Sequence, residues 1–266
     1  MIELMKEIFY KLKSFQGGSY STLSSIHIQS FIDELRKNCL SDSTIKRIFN
    51  VVHASLNHAV QIEVIKKNPT NHIEKPKVSF KENVIWNLNE VSLFLKTSQN
   101  SPYYIVFLLA LTTGMRQGEI LGLRWKDIDF ENECLYVRKT LTHDGKGFKD
   151  GLKSKAGYRS IGLDTHTLNA LESKRNKNKV KKLENGSLYV DCDLVICTTK
   201  GAPINPRNLL RAFHNIISKT SLTKIRFHDL RHTHASLMQQ GENIKLISER
   251  LGHEASNRLA KQFFKQ

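Results

Sequence analysis

The stretch TTGMRQGEILGLRWKDI at residues 112–128 decides how this chain is to be interpreted. The glycine turn at Gly114 ends one helix and places Arg116 at the start of the next. Free N–H groups at a helix N-terminus carry positive partial charge, so an arginine there suits a phosphate oxygen. The alternative is that Arg116 forms a surface salt bridge with Glu119 or Glu133. We expect Glu119 to hold the turn rather than to act as a catalytic acid.

A second motif, HDLRHTHAS at residues 228–236, places His228 and Arg231 three residues apart, on the same face of a predicted helix. A His-x-x-Arg pair also arises by chance, and its surroundings give it weight here. Asp229 is placed to cap the helix or to fix a partner. The other two histidines, His232 and His234, belong to other faces, and the pattern assigns them no role.

Two further positions complete the candidate site. LGH at residues 251–253 supplies His253, although Leu-Gly-His is also a common way to end a helix. LKSKAGYRSIG supplies Lys153 on the approach to a predicted strand, where the alternative is a solvated lysine beside Lys149 and Lys155. Together, Arg116, His228, Arg231 and His253 are residue types that can hold one phosphodiester and stabilise extra negative charge on it.

The charge balance favours a polyanionic partner. The chain of 266 residues carries a formal net charge of +16. Residues 1–75 hold 10 Lys and Arg against 7 Asp and Glu, and the remainder holds 31 against 18. Such an excess can simply improve solubility. A nucleic acid is the better prediction because neutralising phosphates releases counterions. Charge alone does not separate DNA from RNA or from an acidic membrane surface.

Composition excludes several other classes. No apolar run approaches the roughly 20 residues of a membrane span, and MIELMKEIFYKL lacks a signal-peptide pattern. The four cysteines form no Cys-x-x-Cys pair and have no histidine at zinc-finger spacing. We therefore expect a reduced cytoplasmic protein without cofactor, structural metal or membrane contact.

Periodicity predicts a small helical module first. Residues 26–37 form an amphipathic pattern, and a second helix begins near Ser41 or Ser43. The second helix has one apolar face, made by Ile45, Ile48, Phe49, Val52, Leu56 and Ala59. KKNPTNHIEKPKV at residues 66–78 has two prolines and no periodicity, which predicts a linker.

The larger remainder is predicted to be mainly helical with a small antiparallel β-sheet, an α+β fold. Asn87 and Glu90 form a capping box, and the apolar residues 101–114 form a buried helix. The predicted strands are 133–140 and 157–163, with a loop at 143–156, and a short strand at 194–198. The later predicted helices are 166–183, 205–219, 228–240 and 243–251.

The ordered motifs TGMRQGEILGLRWKDID, LKSKAGYRSIGL, FHDLRHTHASLM and ERLGH resemble the tyrosine recombinase (phage integrase) family, especially integrases of phages and conjugative transposons. The resemblance implies a helical, SAM-like core-binding domain at 1–75, shortened at its start, and a catalytic domain at 76–266 with an altered C-terminal end. We expect no arm-binding domain before them.

The resemblance also implies roles for individual residues. Arg116 and Arg231 match the two phosphate-clamping arginines, and His228 matches the histidine that takes part in proton transfer. His253 matches the position that hydrogen-bonds the scissile phosphate. Lys153 matches the strand-turn lysine that protonates the leaving 5′ oxygen, with Lys155 as the nearest alternative.

In that family a tyrosine attacks the phosphate to give a 3′-phosphotyrosine, with no metal, and it follows the LGH histidine by about nine or ten residues. Gln262 and Phe263 stand there in this chain, and no tyrosine follows Tyr189. We therefore expect impaired cleavage. A frameshift or truncation near Asn257 is the favoured explanation, and a genuinely altered tail is the second.

The resemblance implies double-stranded DNA attachment sites as the partner, self-association on that DNA, and an excisionase or a host architectural protein as a further partner. It leaves two hypotheses: an active site-specific recombinase, or a non-cleaving DNA-binding remnant that competes with an intact integrase. An RNA-binding role is disfavoured because nothing resembles an RNA-reading sheet with surface aromatics.

Overall fold

The computed structural model describes residues 23–77, 84–150 and 159–240. The chain divides into two compact units, Met1–Glu82 and Asn83–Gln266, each with its own hydrophobic core. Helices dominate, and the strands form two small antiparallel sheets. The expected fold class, mainly α with a small antiparallel β-component, is confirmed.

The first unit is built on two helices, α1 (Ser25–Lys37) and α2 (Asp42–Gln61). The Ser41 hydroxyl accepts a hydrogen bond from the backbone N–H of Thr44 at 3.3 Å, so Ser41 rather than Ser43 caps α2. The expected apolar face of α2 packs against α1, with Ala59 only partly buried. The buried core of this unit consists of Ile28, Phe31, Ile32, Leu35, Ile45, Ile48, Phe49, Val52 and Leu56.

The prediction of a linker at 66–78 is wrong for residues 68–72, which are part of this first unit. Pro69–His72 forms a 3₁₀-helix, and Asn68 and Thr70 are buried. The Asn68 side-chain amide donates to Asn57 at 2.7 Å, and the Thr70 hydroxyl lies 2.6 Å from the ring of His53. Polar contacts to α2 thus fix a segment that has no apolar periodicity.

The second unit contains a set of helices that frames the candidate site. These are α3 (Leu88–Ser98), α4 (Tyr104–Thr113), α5 (Gln117–Leu121), α6 (Thr165–Asn185), α7 (Pro206–Ile217) and α8 (Asp229–Gln239). The expected capping box opens α3, because Asn87 and Glu90 exchange side-chain-to-backbone hydrogen bonds of 2.8 and 3.0 Å. The helix expected at 243–251 lies outside the described residues.

The strands of the second unit are short. They are β1 (Ile128–Asp129), β2 (Cys134–Val137), β3 (Lys139–Leu141), β4 (Phe148–Asp150) and β5 (Arg159–Gly162). One sheet has the order β1-β2-β5, and β3 pairs with β4 in a separate hairpin, so the predicted loop at 143–156 contains a strand. The expected strand at 194–198 is reduced to two isolated bridges, Arg124 with Leu194 and Cys197 with Pro203.

An aromatic cluster fills the core of the second unit. Its rings belong to Trp86, Phe94, Phe107, Phe213 and Phe227, with centroids 5.0–6.3 Å apart. The indole N–H of Trp86 donates to the carbonyl of Thr223 at 2.9 Å, which satisfies its polar atom. Although α4 is apolar on all sides, none of the helices in the described part of the chain is long and apolar enough to cross a bilayer.

Candidate functional site

The glycine turn after α4 is shaped by a histidine from α8. Gly114 adopts a left-handed conformation with φ of 61°, and a Cβ at this position would lie 2.6 Å from Cδ2 of His234. The His234 ring lies with Nδ1 2.7 Å from the carbonyl oxygen of Leu111, where an Nδ1–H donates. Burial lowers the pKa of His234, which favours this neutral ring. His234, to which the sequence assigned no role, therefore holds α8 against the end of α4.

Arg231 is bound to the same turn. Its guanidinium Nη1 donates to the carbonyl of Gly114, and the side chain rises from the first part of α8, one helical turn before His234. Two residues of α8 thus hold the turn that leads into Arg116. The His-x-x-Arg motif and the glycine turn, which are more than 100 residues apart in sequence, meet at this point.

Arg116 is the N-cap residue of α5 and pairs with Glu119. The backbone N–H of Arg116 donates to Glu119 Oε2 at 2.9 Å, and its Nη1 donates to Oε1 at 3.0 Å. The side chain of Glu119 is fully buried, whereas that of Arg116 is 58% exposed. The alternative expected for Arg116, a salt bridge with Glu119, is present. It coexists with an Arg116 side chain that is open to solvent for more than half of its surface.

A third arginine, Arg159, was not singled out from the sequence. It opens β5, and its Nη2 donates to Glu119 Oε2 at 2.7 Å, with Nη1 3.4 Å from Oε1. Burial alone would raise the pKa of Glu119, but hydrogen bonds from Arg159 and Arg116 lower it overall. Arg159 and Ile161 are half-buried on one face of β5, while Ser160 is exposed. A charged residue on the buried face of a strand was the available signal for a buried partner.

Arg116, Arg159 and Arg231 form an arginine cluster around the single carboxylate of Glu119. Burial lowers the pKa of the Arg231 guanidinium, and the charges of Arg116 and Arg159 lower it further, against the opposing effect of Glu119. Three positive charges therefore face one negative charge in a partly desolvated place. Such an arrangement binds an anion and stabilises additional negative charge on it.

His228 stands at the edge of this cluster as the N-cap residue of α8. Burial, and then the charge of neighbouring His232, lower the pKa of His228, so its ring is neutral at pH 7 and able to accept a proton. The two rings lie edge to face with centroids 5.1 Å apart. Asp229 is buried and accepts hydrogen bonds of 2.7–3.0 Å from the backbone and guanidinium of Arg226. Of the two roles expected for Asp229, capping the helix or fixing a partner, these contacts correspond to the second.

Two packing contacts place α5, whose N-cap residue is Arg116. A Cβ at Gly118 would lie 2.8 Å from the carbonyl oxygen of Leu141, and one at Gly122 would lie 3.0 Å from the backbone of β3. The Gly-x-x-x-Gly spacing therefore lets α5 lie directly on the backbone of β3. After α5, Arg124 forms two hydrogen bonds of 2.7 and 3.0 Å with the buried carboxylate of Asp127.

The structure brings three of the five expected site residues into one neighbourhood: Arg116, His228 and Arg231. The other two, Lys153 and His253, lie outside the described residues, as do Lys155 and positions 262–263. Within residues 23–77, 84–150 and 159–240, no group of three or more His, Cys, Asp or Glu side chains could hold a metal ion.

Comparison with known proteins finds relatives that are all integrases or tyrosine recombinases. The model of the phage integrase family matches residues 82–263. A tyrosine recombinase XerC-like protein of Caldanaerobacter subterraneus is 30% identical, covering 92% of this chain and 68% of the relative. The ICEBs1 integrase of Bacillus subtilis is 29% identical, covering 85% of this chain and 62% of the relative. The chain thus spans about two thirds of the length of these relatives.

Solved structures show the same fold. The Tn1549 transposon integrase, in complex with transposon right end DNA, has a TM-score of 0.73 at 22% identity, covering 94% of this chain and 84% of that one. A lambda integrase tetramer bound to a Holliday junction has a TM-score of 0.64 at 18% identity, covering 98% and 71%. Since the family model matches well over half of the chain, this protein belongs to the phage integrase family of tyrosine recombinases.

Proposed function

We propose that this chain binds double-stranded DNA at recombination sites and holds one phosphodiester between the guanidiniums of Arg116 and Arg231. The family reaction that such a site serves is site-specific DNA integration and excision. His228, Lys153 and His253 complete the site. The observation that carries the proposal is the arginine cluster, in which three guanidiniums face a single buried carboxylate and Arg116 stays largely exposed.

Each element of the cluster has a role in this proposal. Glu119 is held by Arg159 and in turn directs the guanidinium of Arg116. A donor fixed in this way stabilises a developing charge without reorganisation. Arg231 supplies the second guanidinium from the other side of the Gly114 turn. With a nucleophile present, the neutral ring of His228 would take part in proton transfer and Lys153 would donate a proton to the leaving 5′ oxygen. His253 hydrogen-bonds the phosphate.

The nucleophile separates two forms of the proposal. Family chemistry needs a tyrosine hydroxyl about nine or ten residues after His253, where Gln262 and Phe263 stand. Phenylalanine has no hydroxyl and cannot form the phosphotyrosine bond. We therefore propose that the chain binds DNA and positions the phosphate, but does not cleave it. It would then compete with an intact integrase for the same sites.

The solved relatives suggest further partners. The lambda integrase structure is a tetramer on a Holliday junction, which supports self-association on DNA for this chain. An excisionase or a host architectural protein belongs to the proposal as a further partner. The proposal also treats residues 1–75 as the core-binding domain and residues 76–266 as the catalytic domain.

DNA binding is tested by its salt dependence. We expect log Kobs for a 30-base-pair duplex to fall steeply with log salt concentration, and Arg116→Ala or Arg231→Ala to reduce the slope by about 0.9, the value for one phosphate contact. Lys179→Ala removes one charge from an exposed position on α6 and serves as the matched control. Arg231→Lys separates loss of charge from loss of the hydrogen bond to Gly114. Slopes equal to that of the control in both arginine variants would exclude the proposed site.

Cleavage is tested with a nicked duplex that has been enriched from a random library by binding to the wild-type chain. A tyrosine recombinase with a nucleophile forms a covalent protein–DNA adduct that survives a denaturing gel. We expect binding without an adduct. An adduct would show that a displaced tyrosine serves as the nucleophile, and it would favour the active recombinase.

A further inference from the structure

A basic cavity lies at the opposite end of α4 from the arginine cluster. It has a volume of about 300 Å³ and is formed by the segment before α4, the first turn of α4 and the middle of α6. Tyr104 and Ile105, in the first turn of α4, line it, whereas Gly114 follows the last residue of that helix. Ten residues of α-helix span about 15 Å, so the cavity and the candidate active site are separate.

The cavity contains a lysine without a partner. Lys174 is partly buried, and it makes no hydrogen bond or ion pair with any residue in the described part of the chain. Burial lowers its pKa, the charges of Lys181 and Lys177 lower it further, and the Cys197 thiol acts in the opposite direction. Three ammonium groups at this spacing repel one another, and the partial burial of Lys174 adds to the free-energy cost of keeping it charged. A ligand that supplied the missing negative charge would remove this cost.

The remaining lining also favours an anion. Lys174, Lys177 and Lys181 follow one another at helical spacing on α6, and all three line the cavity. No acidic side chain is among its described lining residues. Hydroxyl groups are available from Ser101 and Ser173, as hydrogen-bond donors beside the three ammonium groups, whereas the Tyr104 hydroxyl lies 3.5 Å from Nε2 of His166.

Other lysines on the same helix behave differently. Lys182 is paired with Asp191 at 2.5 Å, and Lys179 is exposed and does not line the cavity. A solubilising role accounts for an exposed lysine such as Lys179. It does not account for a partly buried, unpaired one beside two others. The difference between Lys174 and Lys179 therefore points to a ligand.

We propose that this cavity is a second anion site, which binds a phosphate group through Lys174, Lys177 and Lys181. Two sources share this chemistry: a free phosphate or small phosphorylated molecule, and a backbone phosphate of a nucleic acid. The inference does not depend on the arginine cluster. It would stand if the proposed DNA-phosphate site failed its own test.

The first experiment measures thermal unfolding in sodium phosphate against sodium chloride at equal ionic strength. Trp86 and Trp125, the two tryptophans of the chain, both lie in the second unit, so their fluorescence follows the unit that contains the cavity. At about ten times Kd we expect phosphate to raise the wild-type Tm by about 3–6 °C. Lys174→Met should abolish this rise and raise the Tm in chloride. The matched control Lys179→Met should keep the wild-type response.

The second experiment measures the chemical reactivity of Lys174 in the wild-type chain, in case the methionine variant does not fold. Acetic anhydride labelling with mass spectrometry gives the reactivity of each lysine. We expect either phosphate or a DNA duplex to slow the acetylation of Lys174 at least severalfold relative to Lys179. Protection by phosphate identifies a free phosphate as sufficient. Protection by the duplex alone, in chloride buffer, identifies a nucleic-acid backbone as the source.

The inference is overturned if phosphate shifts the Tm of wild type, Lys174→Met and Lys179→Met equally while neither ligand protects Lys174. A general effect of the salt on stability would then explain the shift. Because none of these variants touches Arg116, Arg159 or Arg231, failure here leaves the proposed function untouched. Conversely, loss of DNA binding in Arg116→Ala does not affect the phosphate response of this cavity.

Discussion

At the scale of single residues, the site depends on one buried carboxylate. Glu119 is fully buried, yet it is kept ionised because Arg159 and Arg116 donate to both of its oxygens. The sequence suggested that Glu119 holds the turn, and the structure adds the reason. A charge taken out of water needs partners with good geometry, and two arginines from different elements provide them.

We expect Glu119→Gln to destabilise the second unit by about 2 kcal/mol. The figure is below the 3–5 kcal/mol typical of fully buried pairs, because solvent screens the exposed part of the arginines. Tryptophan fluorescence during urea unfolding measures it, with exposed Glu172→Gln as the control. DNA affinity should also fall, although the variant is more positive. Tighter DNA binding by Glu119→Gln would show that Glu119 does not direct Arg116.

The same carboxylate gives an expected pH dependence. Its pKa in the folded chain is lowered, so its contribution to stability is present above the ordinary unfolded pKa of about 4.3 and is lost as the pH falls through the folded value. Glu119→Gln cannot be protonated in this range. The stability difference between wild type and the variant should therefore shrink below about pH 4. A constant difference across this range would contradict the assignment.

At the scale of elements, the position of Arg116 depends on the contact between α5 and β3. Gly118 and Gly122 leave room for the β3 backbone, and that close approach fixes the five-residue helix that Arg116 caps. Because the nearest atom to a Cβ at Gly118 is a backbone oxygen, a side chain there cannot be accommodated by a rotamer change alone. One of the two elements has to move.

We expect Gly118→Ala to cost about 1–3 kcal/mol of stability, as overpacking commonly does, and to weaken DNA binding by displacing Arg116. Gly162→Ala in β5 is the matched control, because a Cβ there would meet nothing within 4 Å. Surface substitutions of this kind change stability by about 0.5 kcal/mol or less. Equal unfolding free energies for the two variants would contradict the close approach of α5 and β3.

At the scale of the whole molecule, helices and strands could be predicted where a local sequence pattern determines them. Helices α2 and α4 follow from their apolar residues, the Ser41 cap and the left-handed Gly114. The motifs also drew attention to Arg116, His228 and Arg231, which lie near one another in the structure, since a His-x-x-Arg pair and a glycine turn are visible in the sequence.

The features that could not be predicted from the sequence depend on contacts between distant parts of the chain. His234 bonds the carbonyl of Leu111, Arg159 reaches Glu119, and Thr70 is fixed by His53. Such polar pairs produce no periodic pattern in the sequence. Strands β3 and β4 have only three residues each, which is too short for alternation to stand out from a loop.

A double-mutant cycle between protein and DNA tests most directly whether the arginine cluster holds one DNA phosphate. Neutral methylphosphonates are placed singly along the enriched duplex, and the affinity of wild type and Arg116→Ala is measured for each. At one position we expect the wild type to lose about tenfold in affinity and Arg116→Ala to lose almost nothing, because the same contact is already absent. If the effect of Arg116→Ala is the same at every position, Arg116 contacts no single phosphate, and the account is wrong.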